Sequence, residues 1–332
     1  MNKEELISHI NEYFPEQVIE LVSTLLVSSI SFVPIAADSG LGTSRFGGLP
    51  DLPPSIEWPY RPDSDAASLA VCGGSNHSEY MLRHLAEPLP LSFVAQIDLG
   101  EAYRLGDIAA QLPDSGRLLF FYDLAIGPWD DGPRSGRVIW DQSSVSDLQP
   151  AALPGRLQQL DAQARQEYIG MMKQHGFEPE ADYNAGYLAP ARPMRLSEHR
   201  SLRRLHTIEA KQQGDFDDID VGDGDEPLSL YDLYSDFYPD EPDQPDTSDG
   251  TSYGFYGHHL LGSPDPEQND PRYGPAFSDF LAGRPESDDL RTAFFEHESA
   301  RALDWQLLLQ VDVATLAANT GAGHGLFSDT PG

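Results

Sequence analysis

Apolar residues open the chain at intervals of three and four: Leu6, Ile10 and Phe14, then Val18, Leu21, Leu25 and Leu26. That spacing places each set on one helix face, and Pro15 divides the run into two short helices. The pattern then changes. "ISFVPIA" reads as a strand, and "GLGTSRFGGLPDLPPSIEWPYRPD" as a loop dense in turn formers. Residues 64–88 carry no regular period and are expected to form an exposed excursion. A strand at 91–97 follows, then a helix near 99–110, then "LPDSGRLLFFYDLA" as a turn entering an apolar strand. Leu157, Leu160, Ala164, Tyr168 and Met171 predict an amphipathic helix behind Pro154. Leu202, Leu205 and Ile208 predict another, within "SEHRSLRRLHTIEAKQQG".

Two of the apolar runs contain a glutamine, in "LSFVAQIDLGEAY" (91–103) and "WQLLLQVDVATLA" (305–317). An amide has several hydrogen-bonding positions to satisfy, so its place among Phe, Val and Leu needs a partner. Gln96 and Gln310 lie 214 positions apart, and the same shift carries Gly48-Leu49-Pro50-Asp51 onto Gly262-Ser263-Pro264-Asp265. "GxPD" therefore precedes "QxD" by the same interval twice, without a gap. Alternation puts Phe93, Ala95 and Ile97 on one face, matching Leu307, Leu309 and Val311, with Val94, Gln96 and Asp98 on the other. The pattern predicts a duplicated unit of turn, strand, helix and strand. Within it, Gly and Pro set a tight turn, and each glutamine ties down backbone otherwise left unpaired. Asp98 with Glu101 has capping-box spacing, and Asp312 with Thr315 is a weaker version.

Composition sharpens this picture mainly through charge: 54 acids against 21 Lys plus Arg, a net of −33. Such a surface repels nucleic acid and anionic membranes and attracts a basic protein partner. No Lys or Arg stands between Gln212 and Pro271, and "DFDDIDVGDGDE" and "YPDEPDQPDTSDG" read as solvated connector. No register there meets the EF-hand pattern. One cysteine, Cys72, excludes an intrachain disulfide and points to a reducing, cytoplasmic setting. The N-terminus lacks the cationic start of a signal peptide, and no run is apolar enough to span a membrane.

Candidate chemistry is sparse. Cys72 with His77 or His84 lies in the irregular excursion and reads as an incidental thiol. His258 and His259, with His297, Glu298 and His324, lack metal-ligand spacing, and adjacent residues on a strand face opposite ways. No phosphate-cradling glycine motif occurs. No catalytic set, metal or cofactor is therefore assigned.

Five fragments, "SRFGGLPDLPPSIEWP", "PLSFVAQIDL", "LPDSGRLLFFYD", "HHLLGSPDPEQNDPR" and "DWQLLLQVD", together resemble the YwqG-like family, a bacterial domain of unknown function (1963), over roughly residues 40 to 312. The resemblance implies a β-rich α+β fold with internal duplication and no established reaction or cofactor. It also implies a role beside bacterial toxin–antitoxin-like immunity loci. The expected organisation is a single domain with a pseudo-repeat. Its parts are a first half at 1–150, a helical connector at 151–211, an acidic loop at 212–257 and a second half at 258–332. Two related, mostly antiparallel sheets with peripheral helices are expected, the second short of its closing strand at the C-terminus. Arg45, Trp58, Gln96, His259, Gln268 and Gln310 are the residues expected to face a groove between the halves. Gly48, Pro50, Asp51, Asp98, Gly262, Pro264, Asp265 and Asp312 are expected to hold the frame. The functional expectation is a non-enzymatic, immunity-type protein recognising a basic partner; the alternative is an enzyme or small-ligand binder using the groove.

Overall fold

The structure, a computed structural model, describes residues 3–36, 40–63, 85–124, 135–179, 187–214, 216–222, 228–237, 258–265, 269–284 and 287–311. Ten strands are described: β1 Leu26–Pro34, β2 Arg45–Phe46, β3 Asp51–Leu52, β4 Ser92–Asp98, β5 Arg117–Tyr122, β6 Gly136–Asp141, β7 Gln149–Pro150, β8 Arg192–Leu202, β9 His259–Leu260 and β10 Leu309–Gln310. Eight α-helices accompany them: α1 Lys3–Tyr13, α2 Glu16–Thr24, α3 Leu99–Tyr103, α4 Gly155–Gln174, α5 Ile208–Gln213, α6 Leu230–Phe237, α7 Tyr273–Leu281 and α8 Asp288–Ala293. The class is mixed α+β, and every strand register described is antiparallel. No described helix is long and apolar enough to cross a membrane.

The chain divides into two compact units, one of residues 1–32 with 197–312 and the other of 33–196 with 313–332. Within the first, β9 lies between β10 and β1, and β1 is followed in the strand order by residues 197–202 of β8. Helices α1, α2 and α6 bury Leu6, Ile10, Val18, Val22, Leu230 and Tyr234 in one core. The helical spacing read in the first 24 residues holds, with α1 and α2 meeting at Pro15. Leu26, however, already belongs to β1, because the chain leaves the helix at Leu25.

In the second unit, residues 192–196 of β8 are followed by β2, β4, β5 and β6, with the β3–β7 pair beside them. Leu52, Leu91, Phe93, Leu119 and Phe121 form its central core. Behind Pro154, α4 buries Leu157 and Leu160 against Leu89 and Tyr187. Of the excursion expected at 64–88, only 85–88 are described, and Leu85 there is buried.

Three local expectations are corrected. Leu202 and Ile208 do not share a helix: "RPMRLSEHRSL" is strand β8, and α5 starts only at Ile208. Pro193 cannot donate within a helix, and Met194 and Leu196 alternate inward as a strand requires. The helix expected over 99–110 is α3 followed by a 3-10 turn at Gly106–Ala109, broken where Gly106 takes φ +81°. Within the acidic stretches, Phe216 and Val221 are buried beside α6, so this part is core and not a wholly solvated connector.

Candidate functional site

The second unit contains a polar clasp built on β2. Arg45 is in register with Gln96 on one side and Pro193 on the other. Directly after β2 the chain turns through Gly47 (φ +63°) and Gly48 (φ +73°). A Cβ on Gly48 would lie 2.7 Å from the Ala191 Cβ, so both backbone angle and space demand glycine. Gly47 N–H donates to the Val94 carbonyl at 2.9 Å, where β4 bulges. The bulge corrects the expected alternation. Phe93 pairs with Phe121 and Gln96 with Leu119, which puts Phe93 and Gln96 on the same face.

That turn carries Asp51 over the strand. Its backbone N–H donates to Gln96 Oε1 at 3.0 Å, and Gln96 Nε2 donates to the Thr43 carbonyl and to Asp51 Oδ2, both at 3.0 Å. Asp51 Oδ2 also accepts from Gly42 N–H and from Arg45 Nη1, each at 2.7 Å. Arg45 Nη2 reaches the Leu49 carbonyl. Gln96 is 0% exposed, Asp51 2% and Arg45 5%. Burial alone would push the Asp51 carboxyl up; the bonds from Arg45, Gln96 and Gly42 outweigh it and hold the group below the usual carboxylate range.

The first unit contains the same arrangement on β9. His259 is in register with Gln310 and with Ser31 of β1. The turn runs through Leu261 (φ +58°) and Gly262 (φ +82°), and a Cβ on Gly262 would lie 2.7 Å from the Ser29 Cβ. Leu261 N–H donates to the Leu308 carbonyl at 3.1 Å. Asp265 N–H donates to Gln310 Oε1 at 2.9 Å, and Gln310 Nε2 returns to the Asp265 carbonyl at 3.2 Å.

What differs is the charge inside. His259, fully buried, stands where β2 has Arg45, and its Nε2 lies 3.2 Å from the Ser263 carbonyl. Asp265 turns its carboxylate to Arg204, with Nε at 2.6 Å and Nη2 at 3.2 Å. Nearby, burial, with His259 adding to it, pushes the His199 imidazole down to about 4.

The remaining expected residues fall in several places. Pro50 offers its carbonyl to Ala151 N–H, and Pro264 its own to the Ser263 hydroxyl. Trp58 stands apart from the clasp, donating to the Leu91 carbonyl and packing edge-on against Phe121. Asp98 caps α3 through Gly100 N–H, but Glu101 does not close the expected box. Glu101 instead accepts from Ser44 Oγ and Leu196 N–H, while Asp98 N–H donates to Ser44 Oγ. Gln268, Asp312, Cys72, His77, His84 and His324 lie outside the described residues. His297 is exposed beside Glu296, and Glu298 is held by Arg301; no group of three metal-ligating side chains occurs among the described residues.

Sequence reasoning missed the ion pairs that fix this frame. Arg61 with Asp123 and Arg117 with Asp141 are buried like Arg45 with Asp51. Arg203 and Arg272 both reach Glu209, and Arg272 also grips Asp270. The basic cluster around Arg200, Arg203 and Arg204 was the one visible signal, and each of its arginines meets an acid of its own unit.

The sequence model of a domain of unknown function (DUF1963) matches residues 44–327, which includes the glycine turn, aspartate and glutamine of both clasps. Comparison with curated proteins finds no match.

Proposed function

We propose that this chain, which belongs to the DUF1963 family, is a non-enzymatic, immunity-type binding protein whose acidic surface captures a basic protein partner. The observation that carries this reading is the net charge of −33 combined with where the arginines sit. Arg45, Arg61 and Arg117 are buried in neutral pairs, so part of a small cation supply is withdrawn from the surface. Each pair is neutral, so the net of −33 falls entirely on the remaining groups, and a basic partner is drawn in by long-range attraction. The clasp groups favour a structural role over catalysis, since the donors of Arg45 and Gln96 already hold Asp51, Leu49 and Thr43.

The two clasps support a second part of the reading, that the units descend from one ancestral module. Five features recur at the single shift of 214 positions: the strand register, the positive φ at 47 and 261, the glycine at 48 and 262, the bond from 47 to 94 and from 261 to 308, and the amide on the Asp N–H.

The test is capture from cell lysate at low and high salt, beside an unrelated acidic protein of matched charge. The reading predicts basic proteins retained at low salt, released at high salt and absent from the control. Retention that ignores ionic strength, or a retained set identical to the control's, would overturn it.

A further inference from the structure

The two clasp strands differ in what lies on their outer side. In the second unit β4 is paired by β2 on one edge and by β5 on the other, and Phe93, Ala95, Gln96 and Ile97 are buried. In the first unit β10 is paired by β9 on one edge, and among the described residues no strand takes the other. Leu307, Leu308, Leu309, Gln310 and Val311 are all half-buried in consequence. The bond from Leu261 N–H to the Leu308 carbonyl fixes which backbone groups face outward. Antiparallel pairs alternate, so residues 308 and 310 turn their backbone toward β9, while Leu309 and Val311 turn theirs away. An apolar strand with outward N–H and C=O groups is a template for a further strand.

We infer that the outer edge of β10, which no described strand pairs, is where the basic partner docks, by laying an extended segment along it as β5 lies along β4. The inference rests on the reading that the partner is basic, and it specifies the segment. On β4, Phe120, Leu119 and Leu118 stand opposite Ala95, Gln96 and Ile97, and Arg117 stands opposite Asp98. The docking segment therefore carries three successive apolar residues against Leu309, Gln310 and Val311, with cations beside them. Charge selects the source. A second copy of this chain would bring its own −33 to the edge and be repelled, and exposed Asp304 just before β10 favours a cationic strand.

The test uses the full chain and a synthetic peptide of the β5 sequence RLLFFY flanked by two lysines at each end. A glutamate-flanked version and one N-methylated at alternate residues serve as controls. The inference predicts that the outward amides of Leu309 and Val311 become protected from hydrogen exchange when the lysine peptide binds. It also predicts binding weakened at least about tenfold by Leu309→Pro, by N-methylation and by glutamate flanks. If Leu309→Pro lowers the melting temperature strongly, the N-methylated peptide decides alone.

Protection at another edge, such as 136–141, or binding indifferent to N-methylation, would overturn the docking site and leave the basic-partner reading standing. Leu309 and Val311 amides already protected in the free protein would overturn it too, because a segment of this chain would then cover the edge. Failure of the lysate capture would overturn the partner reading itself.

Discussion

The clasp around Gln96 and the clasp around Gln310 share a backbone and differ in their electrostatics. In the first, three donors converge on one buried carboxylate oxygen, and Arg45 supplies the countercharge. In the second, a buried histidine stands at the arginine's place, and the aspartate finds its cation on Arg204. The lesson is that the hydrogen bond from the Asp N–H to the Gln amide, with the glycine turn behind it, is what the fold requires. The ion pair is an addition to one clasp. Strand β4 is paired on both edges, and the burial this gives makes that addition worthwhile; among the described residues β10 is paired on one edge.

Mutations should separate the two clasps by the size of their effects. The largest difference is expected for the aspartates. Asp51→Ala leaves Arg45 buried without its partner and should cost about 3–5 kcal/mol in urea unfolding, whereas Asp265→Ala should cost about 1 kcal/mol. Next come the glycines, where the comparison predicts near equality. Gly48→Ala and Gly262→Ala each combine a left-handed φ with a 2.7 Å contact and should each cost about 3 kcal/mol. A large inequality between them would break the equivalence of the turns. For the glutamines, Gln96→Ala should cost about 2–3 kcal/mol, because buried donors and acceptors lose their partner, and Gln310→Ala about 1 kcal/mol, because water can replace the amide.

The pH effects are gradual, and they sharpen the comparison by their windows. His199 has a folded value of about 4, below its ordinary 6.5, so the unfolded chain binds the extra proton between these values. Its contribution is fully present above 6.5 and is lost as pH falls from there toward 4, at no more than about 1.4 kcal/mol per pH unit. Asp51 behaves differently. Its depressed value makes its contribution present above the ordinary carboxylate range and lost only as pH falls below it. Acidification to pH 5 should therefore loosen the unit with His199 first, monitored by hydrogen exchange in β1 and β9, and His199→Asn should remove that slope.

Much of this was legible in the residues. The helical spacing of Leu6, Ile10, Phe14 and Val18 read correctly because nothing tertiary opposes it. The shared interval between "GxPD" and "QxD" located both turns, since a left-handed glycine and a tethered amide leave few alternatives in sequence. The bulge at Val94 was not legible. It depends on the Gly47 N–H approaching from 47 positions away, and it reverses which side chains share a face. Strand β8 was also missed, because its charged positions mask the alternation of Met194 and Leu196 and its neighbours are remote in the chain. The buried Arg–Asp pairs were invisible for the same reason: among 54 acids, only the fold selects Asp51, Asp123 and Asp141.

Residue-resolved hydrogen exchange at the Asp51 and Asp265 amides bears most directly on the two-clasp account. Both should be protected, Asp51 more strongly, and each should lose its protection when its own glutamine, and not the other, becomes alanine. An Asp265 amide that exchanges like an open loop, or that ignores Gln310→Ala, would contradict it.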